Sequence, residues 1–536
     1  MSNVKILDCT LRDGGYVNSW HFGKENINAI SKNLADAGVD VIEVGFLTDM
    51  PHTADDSLFS NAEELSDVVK SKKNSLIAGM IALGEKETNP LKLPDSKDSG
   101  LDVVRITFHN DEAEIGRAVN YANILMSKGY KVCMQPVGTT SYTDQELTAL
   151  ISKINQLNPY AFYLVDTLGT LYKDGLMHFV ELIDKNLKPG IKLGFHSHNN
   201  LQMSFSNAQL LVEYPTKREF LIDSSLYGMG RGAGNLCTEL VTRFLNERGL
   251  ANYNLVPILD AIDNQIYPLS LKLSWGYNAH YYMSAIHNCH PNYAAYLMNM
   301  QTLTMNEVNL LLQNLPADSR HIFNKKTIED LYIRFQQTNQ GDRSESVGLP
   351  KEIKEDEVLV LGAGRSIVEQ KQVIQDYIQR ERPVVISINA NQKDFDVDYV
   401  FVSNRKRFLG LDHDDKSAKI IVTSNLPVVS RDHIRVDFDS LVDKSFDQPD
   451  NAGMMLLRLM VNLKMKKAIL AGFDGFDPSQ KENYYSERIA DHITEEVADK
   501  KNDDIAKQIQ KIGKDIEIEF LTPSLYAGRE NGKQKI

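Results

Sequence analysis

The 536-residue sequence predicts an α/β protein with three parts: a (β/α)8 TIM barrel, a helical extension and a C-terminal Rossmann-like α/β domain. The first observation behind this prediction is length, because a chain of this size normally forms several domains. The second is that short, β-branched apolar segments alternate with amphipathic segments eight times before residue 251. The third is that strand-like segments are missing from residues 252–343 and resume near residue 357.

The first part is predicted to contain eight strands, each a short run rich in Val, Ile, Leu or Phe. A doubly wound open sheet is the competing architecture, and the number of strands favours the barrel. The predicted strands are Val4–Cys9, Val39–Gly45, Ser75–Met80, Asp102–Phe108, Lys131–Pro136, Ala161–Val165, Ile191–Phe195 and Glu219–Ile222. Helical patterns between them include Lys24–Ala37, Glu112–Lys128, Asp144–Gln156 and Asn200–Glu213.

The predicted domain boundaries follow the changes in pattern. Residues 1–251 are expected to form the barrel, residues 252–343 a helical extension over its mouth, and residues 355–536 the C-terminal domain. The polar segment 337–346, with its Gly and Ser residues, predicts a linker. The C-terminal strands are predicted at Val358–Leu361, Val384–Ile388, Tyr399–Val402, Lys419–Val422, Lys467–Ala471 and Ile516–Phe520.

Composition excludes several classes of function. The 59 Lys and Arg against 72 Asp and Glu give a net charge of -13, which disfavours binding to nucleic acids and anionic membranes. The four cysteines are scattered, so neither a disulfide framework nor a structural zinc site is expected. There is no signal-peptide core and no apolar run of membrane-spanning length, so we expect a cytoplasmic protein. The sequence leaves open whether the chain forms a homo-oligomer.

Polar side chains gather at the carboxyl ends of the predicted barrel strands, where (β/α)8 enzymes have their active sites. They include Asp8, Arg12, Asp13, Glu43, His109, Asp166, His196, His198 and Asp223. His196 and His198 are two residues apart, which places both imidazoles on one side of a strand end. With Asp13 they form a two-histidine, one-carboxylate set suited to a divalent metal ion. The competing explanation is a pair of surface histidines that happen to alternate.

Arg12 precedes Asp13 and is a candidate for neutralising the oxyanion of a developing enolate. Glu43, from the second strand, could orient that arginine, or form a barrel-interior ion pair with no catalytic part. The glycine-rich segment 228–235 follows the last strand. Such a segment is either a flexible loop or a place where backbone approaches a substrate carboxylate or phosphate.

Four motifs occur in order: LDCTLRDGG, VIEVGF, FHSHNNLQMSFSNA and DSSLYGMGRGAGN. Together they resemble the HMGL-like (DRE-TIM) superfamily of metal-dependent aldolases and lyases. With the segment WGYNAHYYMSAIHNCHPNYA, the resemblance is closest to the 4-hydroxy-2-oxovalerate aldolase branch. It covers about residues 1–300 and is much more specific for the superfamily than for the substrate.

The resemblance implies site residues and a reaction. It implies that a divalent cation (Mn²⁺, Mg²⁺, Co²⁺ or Zn²⁺) is bound by Asp13, His196 and His198. Asn235 is implied as a further ligand or a water anchor. Arg12 is implied to stabilise the enolate and Glu43 to hold Arg12. The implied reaction of this class II aldolase cleaves or forms a 4-hydroxy-2-oxo acid, with pyruvate and an aldehyde as the small-molecule partners.

One position departs from the aldolases, which have a histidine shortly after the RDG turn as the base. This sequence has Tyr16 there, and an unperturbed phenol with a pKa of about 10 is a poor base at neutral pH. His21 could replace the missing imidazole if its loop folds inward, and is otherwise a packed loop residue. Two alternatives therefore stay open: a Claisen-type acyl-CoA condensing enzyme or lyase, and a catalytically altered ligand-binding protein of polysaccharide biosynthesis.

The C-terminal domain carries a second candidate site. Gly362, Gly364, Arg365 and Ser366 lie between a predicted strand and a predicted helix, where backbone amides can cradle a phosphate. This region loosely resembles Rossmann-like nucleotide and glycosyltransferase-type domains, which implies a nucleotide or nucleotide sugar as ligand. The full GxGxxG spacing is absent, so a tight strand–helix connection is the alternative.

Overall fold

A computed structural model of the chain describes residues 4–70, 72–338, 356–412, 417–426, 433–477 and 495–527. The chain forms two compact units. The first comprises Met1–Tyr296 and Leu312–Asn324, and the second comprises Leu297–Leu311 and Lys325–Ile536. The domain boundaries expected from the sequence, at residues 251, 343 and 355, remain predictions.

The first unit contains a parallel sheet of nine strands. They are β1 (Val4–Asp8), β2 (Val41–Leu47), β3 (Leu58–Phe59), β4 (Leu76–Ala82), β5 (Val103–Phe108), β6 (Lys131–Pro136), β7 (Ala161–Asp166), β8 (Lys192–Ser197) and β9 (Phe220–Ser224). Eight of them close into a barrel because β1 pairs with both β2 and β9, while the two-residue β3 is added to β2. The predicted (β/α)8 barrel is confirmed.

Helices connect the strands, and several begin and end as their sequences dictate. In Asp144–Leu157, the Thr143 side chain and the Glu146 carboxylate each accept the other's backbone N–H, and Asn158 ends the helix in the left-handed conformation. The α-helices of residues 4–338 are Thr10–Asp13, Gly15–Asn18, Lys24–Ala37, Ala62–Val68, Ser96–Ser99, Glu112–Ser127, Asp144–Leu157, Lys173–Asn186, Ser204–Glu213, Thr238–Glu247, Leu255–Ala261, Tyr267–Ser270, Ala279–Ile286, Pro291–Met300, Met305–Gln313 and Lys325–Thr338. Shorter turns of helix lie at Pro90–Lys92, Thr139–Ser141, Leu226–Gly228, Ile262–Ile266 and Ala317–Ser319.

Each barrel strand presents alternate residues to the helices and to the barrel interior. In β5, Val104, Ile106 and Phe108 belong to the large apolar core shared with the helices. Arg105 and Thr107 therefore point the other way, into the barrel. Arg105 is fully buried there. The same alternation in β8 puts Phe195 in the outer core and turns His196 inward.

The second unit contains a sheet of seven parallel strands, in the spatial order β14-β13-β12-β11-β10-β15-β16. They are β10 (Glu357–Leu361), β11 (Val384–Ile388), β12 (Tyr399–Val402), β13 (Lys419–Thr423), β14 (Ile434–Val436), β15 (Lys467–Ala471) and β16 (Glu517–Phe520). The six predicted strands are present, and the three-residue β14 at the sheet edge was not predicted. The helices described from residue 356 onward are Ser366–Glu369, Lys371–Glu381, Arg405–Leu409, Ala452–Asn462 and Glu495–Ile512.

Both faces of this second sheet are covered. In β10, Val358 and Val360 join one apolar cluster, and Leu359 and Leu361 join another on the opposite face. Burial on both faces explains why the strand sequences are continuously apolar rather than alternating. The second parallel sheet is thus present, and the Rossmann-like resemblance of this region stays a prediction. Across the described ranges, every helix is too short or too polar to cross a membrane.

Candidate active site

A cavity of about 330 Å³ opens in the first unit. Its lining comes from segments that follow the barrel strands, including Glu85 after β4, His109 after β5, Thr167 after β7 and Arg231 after β9. It therefore lies at the carboxyl ends of the strands, the expected place for an active site in this fold. The remaining lining residues are Arg12, Asp13, Tyr16, Phe46, Met80, Ala82, Leu83, Thr107, Gln135, Val137, Val165, His196, His198, His290, Asn292, His321, Ile322 and Phe323.

Asp13, His196 and His198 converge on this cavity. One ligand atom from each lies within 4.8 Å of the others, and all three residues are buried. Nδ1 of His198 and Oδ1 of Asn235 are also buried and have no hydrogen-bond partner in the described part of the chain. Because unpartnered buried polar atoms are costly, this donor set fits a divalent cation that would accept their lone pairs.

The orientation of His196 also fits metal binding. Its Nδ1 lies 3.0 Å from Oδ2 of Asp223, which leaves Nε2 available, an arrangement common among histidines that bind metals. Asp223 also accepts hydrogen bonds from Tyr163 and Arg105. Burial alone would raise the pKa of Asp223, but the Arg105 guanidinium holds this pKa below its usual value.

A second group of ligand types, Cys9 with His196 and Asp223, lies beside the first. Burial raises the pKa of the Cys9 thiol well above its usual value, so the thiol stays protonated. Its Sγ donates to the carbonyl of Ser224, 3.2 Å away. A protonated thiol is a poor ligand, so the set containing Asp13 is the better candidate for a cation.

Arg12 lies between two carboxylates. Its Nε donates to Oε2 of Glu43 at 2.9 Å, and its Nη1 donates to Oδ1 of Asp13. Burial opposes ionisation of Asp13, but the Arg12 guanidinium and the two nearby imidazoles hold the Asp13 pKa far below its usual range. Asp13 is therefore an anion at any physiological pH, as metal binding requires.

Arg105 was not predicted as a site residue. Its Nη1 donates to Oε2 of Glu43 at 2.6 Å, and its Nη2 donates to Asp223. Arg105 thereby connects the acid that holds Arg12 to the acid that orients His196. The sequence did carry a signal for this residue: an arginine stands at an inward-facing position of an otherwise apolar strand. A charge is rarely buried there without partners, so the position indicates an ion-pair network.

Asn235, predicted as a further ligand or a water anchor, contacts Asp13. Its Nδ2 donates to Oδ2 of Asp13 at 2.7 Å and lies 3.2 Å from the carbonyl of Met229. The glycines of segment 228–235 make this approach possible. A Cβ on Gly230 would lie only 2.3 Å from Asn235 Nδ2, and Gly234 has a φ of +76°.

The two predicted bases lie in different places. Tyr16 lines the cavity, and burial raises its pKa to about 12, so its phenol stays protonated. The His21 side chain is 64% exposed, its Nδ1 lies 2.9 Å from Asp56, and it does not line the cavity. The cavity instead contains the imidazoles of His109, His290 and His321. Of these three, only His109 was predicted near the site, as a residue at a strand end.

In the second unit, the predicted phosphate-binding turn contacts the end of β15 and the loop that follows it. Gly362 N–H donates to Ala471 at 2.7 Å and Gly364 N–H donates to Gly472 at 2.9 Å. The Ser366 N–H donates to the Asp474 carboxylate at 2.8 Å, so an acidic side chain already occupies the amide that could face a phosphate. Arg365 lies 3.6 Å from Glu369. Nucleotide binding here remains a prediction.

Comparison with known proteins identifies relatives of this chain. The HMGL-like family model matches residues 102–264. The chain is 27% identical over 272 residues to the 4-hydroxy-2-oxovalerate aldolase of Geobacillus genomosp. 3, an alignment that covers 50% of this chain and 77% of that protein. The HMG-CoA lyase of Brucella melitensis has a similar solved structure, with a TM-score of 0.40 and 17% identity, covering 51% of this chain and 99% of that one.

A further relative is an oxaloacetate decarboxylase of Mycobacterium tuberculosis. It is 30% identical over 261 residues, which is 48% of this chain and 74% of that protein. The superfamily predicted from the four sequence motifs is therefore confirmed, and the chain belongs to the HMGL-like family.

Proposed function

We propose that this protein is a metal-dependent class II aldolase that cleaves or forms a 4-hydroxy-2-oxo acid. The convergence of Asp13, His196 and His198 in the cavity, with Arg12 bonded to Asp13, is the observation that carries the proposal. The aldolase relative at 27% identity supports the same class of reaction. The metal is one of Mn²⁺, Mg²⁺, Co²⁺ and Zn²⁺.

The bound cation would act as a Lewis acid that polarises the 2-oxo group of the substrate. Arg12 acts on the same oxygen. When the C3–C4 bond breaks, its electron pair moves toward the 2-oxo oxygen, and the buried guanidinium stabilises the negative charge that develops there. Glu43 and Asp13 fix the position of Arg12 beforehand, so little reorganisation is needed in the transition state.

Cleavage also requires a base that removes the 4-hydroxyl proton, and we assign this role to His109. Its Nδ1 lies 3.1 Å from Oε1 of Glu114, which also accepts the His109 backbone N–H. A carboxylate at Nδ1 leaves Nε2 as the proton acceptor and stabilises the imidazolium that forms. Tyr16, whose pKa is raised to about 12, is suited to donating a hydrogen bond rather than accepting the proton.

A second candidate function is decarboxylation of a 2-oxo acid with a carboxylate on C3. The relative at 30% identity, an oxaloacetate decarboxylase, favours it. Both reactions break a bond at C3 and leave the electron pair as a pyruvate enolate. Decarboxylation needs no base to remove a hydroxyl proton. It is therefore compatible with Tyr16 at the position where the aldolases have a histidine base. A Claisen-type condensation would instead release a free thiol from an acyl-CoA.

The decisive experiment measures metal content and the exchange of pyruvate methyl protons in D₂O by NMR. We expect one equivalent of divalent metal and metal-dependent exchange, both lost in Asp13→Asn. Arg12→Lys should keep the metal and lose most of the exchange. Asp36→Asn, at an exposed ion pair with Lys32, is the matched control. A wild-type protein with neither bound metal nor proton exchange would overturn the proposal. Identifying the products formed from 4-hydroxy-2-oxo acids and from oxaloacetate distinguishes the aldolase from the decarboxylase.

A further inference from the structure

One wall of the cavity presents the guanidinium of Arg231. Arg231 belongs to the glycine-rich segment 228–235 and lines the cavity. Its guanidinium carbon lies 5.5 Å from the centroid of the Tyr16 ring, and its Nη1 lies 3.4 Å from Nε2 of His290. Among the described residues, no carboxylate lies within ion-pair distance of this guanidinium.

The contact between Arg231 and His290 brings two hydrogen-bond donors together. Nδ1 of His290 accepts the backbone N–H of Asn292 at 3.2 Å, so the neutral ring carries its proton on Nε2. Burial, with a smaller contribution from Arg231, lowers the pKa of His290 to about 3, which keeps the ring neutral. Two N–H groups 3.4 Å apart cannot satisfy each other. They are best satisfied by one shared acceptor, and leaving them without one is costly.

A second cation strengthens the positive potential on this side of the cavity. Nζ of Lys86 lies 5.3 Å from the centroid of the same Tyr16 ring and 4.1 Å from that of Trp20. Burial lowers the pKa of Lys86, Glu85 raises it and Arg231 lowers it further. Glu85 is exposed, so it offsets the two cations only in part.

We propose that Arg231 and His290 form a subsite for an acidic group on the part of the substrate that the metal does not hold. The inference rests on the proposed aldolase function and specifies its substrate class: the aldehyde partner carries a carboxylate or a phosphate. A guanidinium presents a planar fork that binds either group through two parallel hydrogen bonds. The Nε2–H of His290 adds a third donor, and stacking on Tyr16 holds the fork in place.

The kinetic test uses the full-length, metal-loaded protein with pyruvate and three aldehydes: butanal, succinic semialdehyde and glyceraldehyde 3-phosphate. We expect the kcat/KM of at least one acidic aldehyde to exceed that of butanal tenfold or more. Arg231→Met should reduce this ratio at least tenfold. His290→Gln, which keeps an N–H near the position of Nε2, should retain more of the ratio than His290→Phe. The two acidic aldehydes distinguish carboxylate from phosphate recognition.

A binding measurement keeps the test independent of turnover. Calorimetric titration with inorganic phosphate and with succinate should show at least tenfold weaker binding of the preferred anion to Arg231→Met. Arg248→Met, which removes an exposed arginine paired with Glu213, should bind like the wild type. Equal binding by Arg231→Met and wild type would overturn the subsite, even if the protein proves to be an aldolase. The subsite would also be overturned if Arg231→Met lost the same factor in kcat/KM for butanal as for the acidic aldehydes and also exchanged pyruvate protons more slowly. That result would assign Arg231 to the pyruvate carboxylate. Absent pyruvate exchange with intact anion binding would overturn only the aldolase function.

Discussion

Nη1 of Arg105 donates a hydrogen bond to Oε2 of Glu43 across 2.6 Å in the interior of the barrel. The same guanidinium donates to Asp223, and both acids contact residues of the candidate metal site. A fully buried cation thus joins the two sides of the site. Its loss would be costly, because burial strongly disfavours carboxylates whose charge is incompletely paired.

We therefore expect Arg105→Met to destabilise the barrel strongly. The substitution leaves Glu43 and Asp223 buried without their common cation, at a cost of about 3–5 kcal/mol. Urea denaturation, followed by a signal from the first unit, measures the loss. Arg248→Met removes an exposed arginine of the same unit and should cost less than about 1 kcal/mol. Equal stability of the two variants would mean that the interior network does not depend on Arg105.

Gly230 should be indispensable for the position of Asn235. In Gly230→Ala, the new Cβ would lie 2.3 Å from Asn235 Nδ2 and 2.9 Å from Asp13 Oδ2, so both groups must move. We expect the affinity for divalent metal, measured by competition with a chelating dye, to fall at least about tenfold. Gly116→Ala is the matched control, because its Cβ meets nothing within 4 Å. Gly116 lies within a helix, so that change should leave metal affinity intact and add up to about 1 kcal/mol of stability.

The assignment of the base to His109 predicts that aldol cleavage and decarboxylation respond differently. His109→Asn should lower kcat for a 4-hydroxy-2-oxo acid by about 10²–10⁴, the usual contribution of a general base. Metal content should not change, because His109 is not in the metal-binding group. Glu114→Gln should lower kcat less than His109→Asn does, because it removes only the carboxylate that orients the imidazole. Unchanged cleavage by His109→Asn would remove the assignment.

His290 should make the stability of the first unit depend on pH. Its pKa is lowered to about 3 by burial, so in mild acid the unfolded chain binds a proton at this position that the folded chain does not. The contribution of His290 to the free energy of unfolding is fully present above about pH 6.5, the usual histidine pKa. It is lost as the pH falls toward 3. Between pH 7 and pH 4, the free energy of unfolding should fall by about 3 kcal/mol less in His290→Gln than in the wild type. Parallel pH profiles for the two proteins would contradict this expectation.

Much of the barrel and the candidate metal-binding group could be predicted from local patterns. The eight strand segments were recognisable because buried parallel strands are short, apolar and β-branched. Asp13, His196 and His198 stood out because motif spacing and strand ends bring such residues to one edge of a barrel. The strand β14 escaped prediction because three residues at a sheet edge, Ile434–Val436, carry almost no periodic signal.

Local sequence patterns were enough to predict the barrel, a candidate set of metal-binding residues and a second α/β region. The side chains that contact one another around these residues depend on the tertiary structure. Arg105 and Asp223 are 118 residues apart, and Arg231 and His290 are 59 apart. Tertiary structure likewise left His21 beside Asp56 at the surface. The physical reason is that periodicity and capping report only on neighbours within a few residues. Contacts across the barrel mouth depend on how the whole sheet closes and on where the connecting loops then run.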